Sequence, residues 1–151
     1  MFEITIQRAI PAKGLPSPTK LKQWALAALK NKTPSADITI RIINKIDMTS
    51  LNLQYRNKNH PTNVLSFPMD SPLELQGQTA ILGDILICAD IIQEEAIAQK
   101  KMETAHWAHM VVHGTLHLLG YDHEKKKDAD IMEKEEVNIL TSLGFHNPYL
   151  T

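Results

Sequence analysis

His113-Gly-Thr-Leu-His117-Leu-Leu-Gly120-Tyr-Asp-His123 closes the longest apolar helical pattern of the chain, which runs from Glu103 to Leu119. Two histidines four residues apart on a helix project from one face about a turn apart, so both imidazoles can reach one ion. Gly120 ends the pattern, because glycine tolerates the left-handed backbone that turns a chain out of a helix. Beyond that turn His123 can swing back and offer a third nitrogen. Three imidazoles leave a tetrahedral zinc one open position for water, the arrangement of a catalytic site rather than a structural one. Neutral imidazole also suits nickel, copper or iron, so the expectation is one Zn2+ per chain, replaceable by other divalent transition metals.

Just upstream, Asp90 begins a helix that runs to about Lys101, and the nearly all-apolar Ala80–Cys88 predicts a strand in a central position. Asn63–Phe67 predicts another strand, and the proline- and glycine-containing stretch Pro68–Gln78 a surface loop. Nearer the N-terminus, Phe2, Ile4 and Ile6 alternate with Glu3, Thr5 and Gln7, the period-two pattern of a half-buried strand. Ser17-Pro18 opens a helix with Ser as N-cap and Pro at the first helical position. Leu21, Trp24, Ala25, Ala28 and Leu29 give it an apolar face, and it stops before Pro34. Asp37–Ile43 alternates as a second strand, and Asp47 or Thr49 can cap a helix through Leu51 and Tyr55 to about Asn57. After His123, Lys127 to about Leu143 forms a last helix ended by Gly144. Strands gather early and helices late. This pattern predicts a single α+β domain over residues 1–151, a small mixed β-sheet of about four strands packed with helices, and a metal site at the end of a buried helix.

Composition narrows the function classes. The 151 residues are 43% hydrophobic and 22% charged, which suits one soluble globular domain and not a disordered chain. Sixteen Lys and Arg nearly balance seventeen Asp and Glu, so the whole-chain charge gives no argument for nucleic acid. An RNA-handling protein of this composition would gather its basic residues on one face. Cys88 stands alone, which excludes an intrachain disulfide and a Cys-rich zinc site and suits a reducing compartment. Met1–Ile10 mixes Glu3, Gln7 and Arg8 among apolar residues, unlike a signal peptide, and no apolar run approaches the ~18–20 residues of a membrane span. The expected localisation is cytoplasmic, with no membrane partner.

The spacing His-x3-His-x5-His, with a glycine three residues after the second His, resembles the metzincin proteases in its ligand positions. Those proteases place Glu directly after the first His as general base, and here that position is Gly114. A peptidase of that mechanism lacks its proton acceptor. His106 and His109 continue the histidine stripe backward in steps of three and four, either lining a pocket, standing behind the ligands, or simply packing. His60 and His146 lie in loop-like sequence and are expected to be exposed. Asp84, in an apolar strand, either holds the second nitrogen of a ligand histidine or caps a turn. Asp122 poses the same choice, and Ser66 reads as an ordinary strand serine. Lys125, Lys126 and Lys127 can meet an RNA backbone, although charge runs are more often solvated faces. On sequence alone Arg56 reads as a solvated arginine at a helix end, favourable to the last turn's dipole.

The histidine segment strongly resembles the signature of the YbeY family of bacterial ribosomal-RNA maturation endoribonucleases. Pro61-Thr-Asn-Val-Leu-Ser-Phe-Pro68 and Leu82-Gly-Asp-Ile85 are similar to that family's two other typical segments, in the same order. The match spans roughly Leu51 to Tyr149; many members have Asp where this chain has Asn63. The resemblance implies a zinc-dependent, single-strand-specific endoribonuclease acting in small-subunit (16S) rRNA 3′ end maturation and ribosome quality control. It implies His113, His117 and His123 as metal ligands and Arg56 as the functional arginine. The implied partners are single-stranded ribosomal RNA, the small ribosomal subunit, and ribosome-associated proteins. Two other readings compete. One is a non-catalytic ribosome assembly factor in which the ion only ties helix to turn; the other is a metal-dependent hydrolase of a different substrate.

Overall fold

The alternating N-terminal residues form β1 (Phe2–Arg8), and the alternation from Ala36 forms β2 (Ala36–Ile43). Between them α1 (Pro18–Leu29) starts where expected: the Ser17 hydroxyl accepts a hydrogen bond from the Lys20 N–H at 3.2 Å, with Pro18 at the first position. The chain continues through α2 (Lys45–Arg56), β3 (Val64–Pro68), β4 (Ile81–Cys88), α3 (Ala89–Ala98), α4 (Glu103–Leu118) and α5 (Lys126–Ser142). This is a computed structural model that describes residues 1–69 and 81–150. The surface loop expected over Pro68–Gln78 therefore falls, from residue 70 onward, outside the described residues.

Among the described residues four strands form one mixed sheet in the order β1-β2-β4-β3, the α+β fold with about four strands that the sequence predicts. β1–β2 and β2–β4 are parallel, and β3 pairs antiparallel with β4 at the edge. β4 lies inside the sheet, and from Ile85 to Cys88 it is buried on both faces, which accounts for the apolar run there. Ile85 and Ile87 join Ile38, Ile40 and Ile42 in the main core beneath α1 and α4. Leu86 and Cys88 face the other way, into a smaller cluster with Ile43, Met48 and Leu65 that seats α2.

Several boundaries differ from the sequence expectation for identifiable reasons. Asn44, not Asp47 or Thr49, caps α2: its side-chain oxygen accepts from the Asp47 N–H at 2.8 Å. Thr49 instead donates to the Lys45 carbonyl inside the helix. α3 starts at Ala89, directly off the strand, and stops at Ala98, because Lys100 adopts the left-handed conformation (φ 55°). α4 ends as expected, with Gly120 at φ 102° and the Tyr121 N–H closing back on the Leu116 carbonyl.

α4 needs two glycines in order to lie this close to the sheet. A Cβ on Gly114 would come within 2.8 Å of an Ile85 methyl and 3.3 Å of the Ser66 hydroxyl. A side chain there would run into the sheet, so the position that carries the metzincin base has no room for one. Gly83, in the Leu82-Gly-Asp-Ile85 segment, sits at φ 135°, and a Cβ there would lie 2.1 Å from the Phe67 carbonyl oxygen. Replacing Gly83 by Ala combines a disfavoured backbone with a backbone collision, and the expected cost is about 2–5 kcal/mol in equilibrium unfolding. An unchanged denaturation midpoint for Gly83→Ala would contradict this packing.

Candidate metal centre

The three histidines converge. One ring nitrogen from each of His113, His117 and His123 lies within 4.8 Å of the other two. His113 and His117 project from the last two turns of α4, and His123 returns to them after the Gly120 turn. The return is fixed by Asp122, whose Oδ1 accepts from the backbone N–H groups of His123 (2.7 Å) and Glu124 (3.3 Å). Asp122 thus serves the local turn, the second of the two roles open to it, and those bonds hold its carboxyl below the usual range.

The donor chemistry fits a divalent cation. His113 Nδ1 donates to Glu136 at 2.9 Å, which leaves its Nε2 as a bare lone pair 3.1 Å from His117 Nε2. Two nitrogens bound to a tetrahedral zinc stand about 3.3 Å apart, so this pair needs only a small adjustment around an ion. Burial, and then the neighbouring His113 and His123 rings, push His117 down to about 4, keeping it neutral and able to ligate near pH 7. Among the described residues no fourth His, Cys, Asp or Glu joins the three. These residues could hold a metal ion with one side free.

Glu136 is the residue that sequence reading missed. It lies in the buried stripe of α5 with Met132, Ile139 and Leu140, and is only 1% exposed. Burial by itself would raise its carboxyl, but hydrogen bonds from His109 and His113 outweigh that and hold it at about 2. Tyr149 supplies a third donor, its hydroxyl on Oε1. A carboxylate interrupting the apolar stripe of a helix was the available signal, since a buried charge must be partnered. Asp84, the other candidate for this role, does not take it. It is exposed on the sheet face turned away from α4, in a groove with Arg41 and Tyr55.

The imidazoles open into a cleft of about 510 Å³ whose lining includes Arg56, Lys58, Asn63, Ser66 and Tyr121. Arg56 reaches it from the end of α2, where Asn57 turns the chain in the left-handed conformation and buried Asn52 donates to the His60 carbonyl at 2.8 Å. Ser66 lines the cleft while donating to the Gly114 carbonyl at 3.1 Å, so it fastens β3 to α4. The Asn63 amide donates to Glu95, which also accepts from His106. An aspartate at this position of this chain would face the Glu95 carboxylate. His106 and His109 are buried behind the cleft, whereas His60 and His146 are exposed as expected. Lys125, Lys126 and Lys127 are exposed at the start of α5 and do not line the cleft.

Removing the carboxylate behind His113 frees its ring to rotate and removes the negative charge that strengthens it as a ligand. Glu136→Gln is expected to weaken zinc binding about 10- to 100-fold in a chelator competition, while Asp84→Asn leaves it unchanged. The metal-free protein carries a pH signature as well. His117 is depressed below its ordinary 6.5, so its contribution to stability is full above pH 6.5 and is lost as pH falls toward 4. Thermal melts of metal-free protein should decline across that window, less steeply in His117→Asn. A flat profile would contradict the burial of that ring.

The profile of the family described as Endoribonuclease YbeY matches residues 13–144, reaching well upstream of the segments that carry the motif resemblance. A curated Endoribonuclease YbeY from Nitrosococcus oceani is 44% identical over 146 residues, covering 97% of this chain and 95% of that one. One from Xanthomonas campestris is 45% identical over 150 residues, covering 98% and 93%. The solution structure of TM1509 from Thermotoga maritima has a similar fold, with a TM-score of 0.61 over 100% of both chains at 23% identity. Matched along nearly its whole length, this chain belongs to the YbeY family.

Proposed function

We propose that the chain is a zinc-dependent endoribonuclease that cuts single-stranded RNA, acting in the cytoplasm on the small ribosomal subunit in 16S rRNA 3′ end maturation and ribosome quality control. The observation that supports it most is that Arg56 lines the same cleft as the three converging imidazoles. Family membership and the name borne by the curated relatives supply the substrate class. In this reading His113, His117 and His123 hold the ion, which when bound supplies Lewis-acid charge at the phosphodiester.

Cleavage of a phosphodiester builds negative charge on its non-bridging oxygens. The Arg56 guanidinium can grip two of them at once, and Lys58 beside it adds charge that attracts the backbone. Glu136 holds the His113 proton on Nδ1, so Nε2 faces the cleft as a ligand and not as a donor. With Gly114 where a peptidase carries its base, either water at the open side acts as base or nucleophile, or the RNA 2′-hydroxyl attacks its own phosphate and displaces the 5′-oxygen, a route that leaves DNA uncut. Structural zinc normally has four protein ligands, and three with the Asp122 carboxylate turned to backbone favour an enzyme over a purely assembling role. Ribosome-associated proteins would supply any further specificity.

The test is a substrate panel of single-stranded RNA, duplex RNA, DNA and casein, each with and without chelator. Cleavage of single-stranded RNA alone, abolished by chelator, is expected. His113→Ala should remove it, and Arg56→Glu should lower it at least about 100-fold with an unchanged melting curve. Undiminished RNA cleavage by the doubly substituted protein, or cleavage of casein, would overturn the reading.

A further inference from the structure

A second cavity, of about 520 Å³, lies behind the metal cleft, between the α3–α4 connection, the end of α5 and the C-terminal tail. Its size falls in the range of small-molecule sites. Leu140, Phe145, Pro148 and Leu150 make its walls largely apolar. Lys100, Lys101 and His146 add positive or ionisable groups, and among the described residues no carboxylate lines it. Lys101 is committed to the Pro148 carbonyl at 2.7 Å, whereas exposed Lys100 sits at the left-handed end of α3.

Two hydrogen-bonded carboxylates join this cavity to the metal cleft. His109 lines the cavity and donates to Glu136, which accepts from the metal-site His113. His106 lines it as well and donates to Glu95, which accepts from Asn63 in the cleft wall. The tail strengthens the first path: Pro148 and Leu150 are walls of the cavity, and Tyr149 between them donates to Glu136. Tyr149 thus sits between two wall residues while its hydroxyl meets the carboxylate that orients His113.

We propose that this rear cavity binds a small apolar anion, an aromatic or short-chain carboxylate or sulfonate, and that its occupancy tightens metal binding through the tail, His109 and Glu136. The walls match the apolar body, and a lining with lysines and, among the described residues, no acid matches the negative head. Coupling follows because filling the cavity removes the tail's freedom to swing Tyr149 off Glu136.

The probe is 1-anilinonaphthalene-8-sulfonate, titrated against the full chain by fluorescence, with octanoate as competitor. The expected result is saturable binding at one probe per chain, displaced by octanoate and weakened roughly tenfold by Lys100→Glu, a surface change that spares the fold. Ala105→Trp, at the rim on α4, should fill the cavity and abolish binding. Saturating probe should raise zinc affinity about fivefold or more in a chelator competition, an effect lost in Tyr149→Phe. Absence of saturable binding, or binding indifferent to both Lys100→Glu and Ala105→Trp, would overturn the site. Binding that leaves zinc affinity unchanged would overturn the coupling. No RNA enters the experiment, so its failure would leave the nuclease reading standing.

Discussion

Glu136 is a charged group buried between two helices, and the arrangement of the metal centre follows from the need to satisfy it. An isolated carboxylate taken out of water costs several kcal/mol even after relaxation, so it persists only with donors on its lone pairs. His113, His109 and Tyr149 are those donors. Satisfying Glu136 therefore fixes the proton of His113 on Nδ1 and turns its Nε2 toward His117 and His123. The same carboxylate ties α5 and the C-terminal tail to α4. A single ionised side chain thus sets the tautomer of a ligand and the docking of the last two segments of the chain.

That docking needs α4 to lie close against the sheet. Gly114 and Gly83 permit it at the two points where a Cβ would meet Ile85 and the Leu118 side chain. Ser66 then binds the helix backbone across the gap. The result is a cleft whose back wall is built on α4 and the edge strand β3, and whose front edge is formed by the end of α2. Arg56 stands on that front edge, lining the same cleft as the three imidazoles.

Much of this was legible in the residues themselves. The period-two alternation of β1 and β2, the Ser17-Pro18 start and the Gly120 and Gly144 stops are local signals, and the chain obeys them. The histidine triad was legible because helix geometry and one glycine turn determine where its rings meet. Glu136 was not, because its partners are 23, 27 and 13 residues away and only folding brings them together. Asp84 misled for the opposite reason: strand parity decides which face it occupies, and register is a property of the assembled sheet. Asn44 was passed over as a cap because Ile46, the apolar residue after it, is exposed and the helix buries nothing before Met48.

The most direct measurement of the centre is the metal content and coordination number of the purified full chain, by elemental analysis and X-ray absorption, beside its His117→Ala variant. The expected result is one zinc per chain with three imidazole nitrogens and one exchangeable light ligand, and loss of stoichiometric zinc in the variant. A fourth protein ligand in the first sphere, or full zinc retention by His117→Ala, would contradict a three-histidine site with an open side.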